Sequence, residues 1–150
     1  MDNGMNKSTT IEFLSSLYKN MKMGSDSIID ISSKVKEGKL RDELAAELDT
    51  YEKYSKKIGM MIYDLGESPK EENIVKKMAT KMGMAMNTLT DSTESHIAQM
   101  MIEGATMGIT ENTKLINEYK TKNVSDEALR LGRDSVSYME DSVERLKKFL

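Results

Sequence analysis

Apolar residues recur at steps of three and four through four long segments of this chain, and its single proline, Pro69, falls between the second segment and the third. Leu14, Leu17, Met21, Gly24, Ile28, Ile31 and Val35 keep that step without a miss, which places them on one side of an α-helix. The pattern predicts an all-α protein: two antiparallel helical hairpins packed as a four-helix bundle, with a short extra helix inserted between them. A first helix is expected to start near Thr9, where Thr9 and Glu12 can cap each other's backbone amides, and to end before Gly38 in the turn Lys36 to Lys39. Residues 1–8 are expected to be a disordered tail and residues 9–150 a single domain.

The second helix carries Leu40, Leu44, Leu48, Tyr51, Ile58, Ile62 and Leu65, and Gly66 stops it. Ser68 and Glu71 form a second capping box, with Pro69 at the first helical position, opening the short helix whose stripe is Val75, Met78, Met82, Ala85 and Leu89. Asp91 with Glu94 signals a fresh start, and the third helix should then run from Ser92 to about Lys122 through Met101, Ala105, Gly108, Asn112, Leu115 and Tyr119. Ser125 caps the fourth, whose stripe is Leu129, Gly132, Val136, Met139, Val143, Leu146 and Leu150. Laying the first hairpin on the second matches Met23 and Gly24 with Met107 and Gly108, a hint of duplication that a shared amphipathic pattern would also produce.

Composition narrows the chemistry. The absence of cysteine removes disulfides, thiolate metal sites and cysteine nucleophiles. With 22 basic and 25 acidic residues interleaved and few aromatics, the surface is not a field for nucleic acid. Met1 to Lys7 lacks the apolar core of a signal peptide and no stretch is long enough to span a bilayer, so a cytoplasmic location without membrane partners is expected.

In a bundle, sites are built where polar residues interrupt an apolar stripe at mid-helix. Those interruptions are Gly24 with Asp30; Glu47 with Tyr51 and Tyr54; Glu103, Glu111 and Asn112; and Ser135, Tyr138 and Glu140. His96, the sole histidine, sits near the start of the third helix, where the helix dipole disfavours its protonated form. Fourteen methionines include Met78, Met82, Met84 and Met86. Alternate helical residues point about 200° apart, so Met82, Met84 and Met86 cannot converge on one soft ion, and packing or docking is the reading of that cluster.

The paired hairpins, the inserted helix and the run Leu44-Ala45-Ala46-Glu47 resemble the ferritin-like superfamily. The turn Leu65 to Pro69 and the pair Glu103-Gly104 are similar to those of bacterial ferritin-like proteins that lack a complete di-iron site. The resemblance implies a di-iron site of two Glu and two Glu-x-x-His motifs, and this chain departs from it: Thr50 and Val143 stand three residues after Glu47 and Glu140. Glu47, Glu103 and Glu140 are left as candidates for a carboxylate-only metal site, while Tyr51, Tyr54, Tyr119 and Tyr138 are suited to filling a vacated one. No cofactor and no catalytic residue is expected. The leading reading is a non-enzymatic bundle that self-associates as a homo-oligomer or binds a protein partner, and the alternative is a divergent metal-binding or metal-storage protein; a third, a methionine-lined pocket for a small apolar ligand, has no specific motif behind it.

Overall fold

A computed structural model describes residues 4–69 and 91–150. Four helices make up the described fold: α1 (Lys7–Ser32), α2 (Lys39–Asp64), α3 (Glu94–Tyr119) and α4 (Asp126–Leu146), the last running into a 3-10 turn at Lys147–Phe149. No strand occurs among the described residues. The inserted helix expected from Val75 to Leu89, its capping box and the Met78 to Met86 cluster lie outside the described residues.

Local chemistry sets the ends. α1 begins at Lys7, earlier than the Thr9 and Glu12 pair suggested, because Asn6 is the cap: its Oδ1 accepts from Thr9 N at 3.0 Å. Asn6 N donates in turn to Asn123 O at 2.6 Å, and Asn123 presents that carbonyl by adopting a left-handed φ of 58°. Ser125 N donates to Thr10 Oγ1 at 3.2 Å, so the start of α1 is tied to the turn between α3 and α4. At its other end α1 stops at Ser32, ahead of the expected turn. The hydroxyls of Ser32 and Ser33 donate back to Ile28 O and Asp30 O, bonds that compete with helix continuation. α2 ends as expected at Gly66, which takes a φ of 92°. Thr93, not Asp91, caps α3 by accepting from His96 N, while Asp91 accepts from Thr93 N. Ser125 caps α4 as the sequence indicates, accepting from Ala128 N at 3.2 Å.

The stripes meet in one core. Phe13, Leu14, Leu17, Met21, Ile28 and Ile31 of α1 pack with Leu40, Leu44, Ile58 and Ile62 of α2, Ile97 of α3, and Met139 and Leu146 of α4, all at 2% exposure or less. Each such side chain stabilises the fold by roughly 1.5 to 3 kcal/mol relative to an exposed one. Leu150 departs from its expected stripe and is exposed, because the α-helix has given way to the 3-10 turn.

Cross-helix pairs fix the directions. Glu12 meets Tyr119 and Asn20 meets Asn112, so α1 and α3 are antiparallel. Glu43 meets Arg145 and Glu47 meets Ser142, so α2 and α4 are antiparallel as well. With α1 antiparallel to α2 across a short turn, α2 and α3 point the same way. A Cβ on Gly38, at the start of α2, would accordingly lie 3.9 Å from Glu94 Oε1 at the start of α3. The chain between α2 and α3 thus joins opposite ends of the bundle, the order of a four-helix bundle with one long crossover.

Candidate functional site

Two polar layers interrupt the core. In the first, the fully buried Asn112 of α3 accepts from Asn20 Nδ2 of α1 at 2.8 Å and donates to Ser135 Oγ of α4 at 3.3 Å, with Met21 Sδ a second, weaker acceptor at 3.8 Å. The Ser135 hydroxyl donates in turn to Gly132 O at 2.6 Å. Each polar atom of the Asn112 side chain has a partner, and three helices are held in register by one amide.

The second layer is less complete. Glu47 of α2 is 1% exposed, and its Oε1 accepts from the buried hydroxyl of Ser142 on α4. Its Oε2 is buried with no hydrogen-bond partner among the described residues. Arg145 stands close by but is committed elsewhere: its Nε donates to Glu43 Oε1 at 2.8 Å, and its guanidinium lies over the Tyr138 ring at 5.1 Å. Burial therefore dominates and pushes the Glu47 carboxyl from its ordinary 4.5 up to about 7; Glu43 adds to the rise, while Ser142 and Arg145 oppose it. Tyr51, on the next turn of α2, is itself driven well above its ordinary range by burial and then by the Glu47 charge.

Three of the four tyrosines expected to fill a site gather here. Tyr51 and Tyr54 both pack against Tyr138, edge-on at 6.0 Å and tilted at 6.2 Å. Tyr119 lies apart, edge-on to Phe13 at 5.8 Å. Gly24 is what lets Tyr51 lie flat on α1, since a Cβ at that position would come within 2.7 Å of Tyr51 Cε1. Gly108, its counterpart in the hairpin alignment, similarly admits Met139, whose Sδ would be 2.9 Å from an added Cβ.

Between these two glycines, α1 and α3 leave a cleft of about 80 Å³. Its walls are apolar: Met23, Ile28 and Ile31 from α1, Met100, Met101, Ala105 and Met107 from α3, and Met139 from α4. Asn20 of α1 and Glu47 and Tyr51 of α2 contribute to the lining. Met107 and Glu111 are exposed, so the cleft opens to the surface along α3. The charged groups in the lining are both carboxylates, Glu47 and Glu111.

Of the three carboxylates picked out as metal ligands, only Glu47 is inside. Glu103 is exposed and accepts from Gln99 Nε2 on its own helix, and Glu140 is exposed on α4. Among the described residues no group of three or more His, Cys, Asp or Glu side chains could hold a metal ion. His96 is half-buried at the first turn of α3, outside the cleft lining. Ser142 was missed in the sequence, although Ser135, Met139, Ser142 and Leu146 share one helical face. A methionine-lined pocket was one of the sequence readings, but its place between α1 and α3 has no signal in the local pattern.

The fold and this interior define an all-helical four-helix bundle with a surface cleft reaching a buried carboxyl. No protein-family model, curated protein or solved structure matches the chain. No helix among the described residues is long and apolar enough to cross a membrane.

Proposed function

We propose that this bundle works by binding, and that the cleft between α1 and α3 takes up a small apolar molecule or group. The observation that carries this is a methionine-lined opening of about 80 Å³ between two glycine-thinned helix contacts. It is about half the size of an engineered apolar cavity of roughly 150 Å³ that stays dry and takes up benzene. Thioether side chains adapt their shape to an occupant at little cost, which suits a pocket of variable filling.

Methionine methyl NMR tests this reading with 1-hexanol as the apolar probe. Saturable shifts are expected at Met23, Met100, Met101, Met107 and Met139, and Ala105→Leu, which adds bulk to the lining, should abolish them. No saturable shift, or shifts unchanged in Ala105→Leu, would refute cleft binding.

A second reading, self-association, is supported by Met60 and Tyr63, which are 58% and 73% exposed and three residues apart on α2. Sedimentation velocity at rising concentration tests it: a monomer throughout would dismiss it. Kinship with the ferritin-like superfamily is likewise our reading, and its support is the crossover order of the four helices. A carboxylate metal site gains no support from the exposed positions of Glu103 and Glu140.

A further inference from the structure

Resting on the cleft reading, we infer that the occupant is a small apolar amine, its alkyl or aryl part among the methionines and an N–H of its ammonium group donating to Glu47 Oε2. Three observations converge. Oε2 is a buried acceptor with no hydrogen-bond partner among the described residues, a deficit that a ligand donor would relieve. Among the described residues the cleft lining contains no Lys or Arg and carries Glu47 and Glu111, so its charge complements a cation and opposes an anion. Tyr51 adds an aromatic ring beside the carboxylate, a further attraction for an ammonium group.

The groups that face Glu47 leave this role open to a ligand. On its own helix, Glu43 is held by Arg145. On α4, Ser142 already donates to Oε1, and Arg145 is bound between Glu43 and the Tyr138 ring. From α1 the lining offers the uncharged Asn20 and Ser27, and from α3 it offers Glu111 at the mouth. No cation on any of the four helices therefore occupies the Oε2 position. The size of the cleft sets the scale of the occupant: a chain of a few carbons or one ring, well below the several hundred Å³ that drug-sized ligands fill.

Isothermal titration calorimetry of the full chain with hexylamine, 1-hexanol and Nα-acetyl-lysine amide tests the inference, at pH 8 and pH 5.5. Hexylamine should bind about tenfold or more tightly than 1-hexanol at pH 8, and the advantage should shrink at pH 5.5, where Glu47 gains a proton. Glu47→Gln should erase the preference for the amine, with helical circular dichroism and a cooperative urea transition showing that the variant is folded. Equal affinity for amine and alcohol, or an amine preference that survives Glu47→Gln, would overturn the inference and leave the apolar cleft standing. Binding of neither probe would overturn the cleft reading itself. Tighter binding of the lysine amide than of hexylamine would overturn the small-molecule assignment in favour of a lysine side chain from a protein.

Discussion

Asn112 and Glu47 occupy equivalent kinds of place and are treated differently by their surroundings. Each is virtually inaccessible to water on a helix face that is otherwise apolar. Asn112 finds an acceptor and a donor on two neighbouring helices, so its layer is closed and works as a register pin. Glu47 finds one donor and retains one orphan oxygen beside a cleft. A buried polar group with every partner in place specifies structure, whereas one with a partner missing is a structural cost and an available contact for a ligand.

The comparison can be broken most severely by turning the closed layer into a second open one. Asn112→Asp removes the amide protons that Ser135 and Met21 accept and buries a charge with no cation in its network. A loss of about 3 to 5 kcal/mol in urea unfolding at pH 8 is expected, with recovery on acidification as the carboxyl is protonated.

Next in size is the pH response of the parent protein. Because the folded carboxyl of Glu47 titrates at about 7 and the unfolded one at 4.5, the folded state holds an extra proton between those values. Stability is then fully present below pH 4.5, falls as pH rises to about 7, and levels off above it. At about 1.4 kcal/mol per pH unit the change is on the order of 3 kcal/mol. Urea unfolding from pH 4 to 8 measures it, and Glu47→Gln should remove this component.

Ser142→Ala sharpens the contrast by stripping Glu47 of its remaining donor. A cost of about 1.5 to 3 kcal/mol at pH 8 is expected, together with a further rise of the Glu47 pKa, because the lost hydrogen bond favoured the charged form. Arg145→Gln should do least. Its side chain is 36% exposed and that of its partner Glu43 15%, so the pair is partly screened by solvent and a change of about 1 kcal/mol is expected in the same assay.

The two layers were also unequally legible in the sequence. The four long helices, the hairpins and the cap at Ser125 follow from local periodicity and turn chemistry, and the described residues agree with them. Asn112 and Glu47 both stood out as interruptions of a stripe. What local pattern could not reveal is which interruptions meet. Glu103 lies about 200° around α3 from Met101, on the face opposite the stripe, while Glu140 borders the stripe of α4, and both are exposed. Ser142 is unremarkable until α4 is laid antiparallel to α2, and the cleft depends on two glycines that bring Tyr51 and Met139 close on either side. The start of α1 was misplaced for a similar reason, since Asn6 is fixed by Asn123 from the far end of the chain.

Whether Glu47 is an incompletely satisfied carboxyl inside the bundle is decided by its own titration. Side-chain carboxyl ¹³C NMR of the ligand-free protein, with Glu47→Gln to assign the resonance, reads the midpoint without reference to stability or binding. The account predicts a midpoint near 7. A midpoint near the ordinary 4.5 would show a carboxylate as well solvated or partnered as one on the surface, and would contradict the distinction between the two layers.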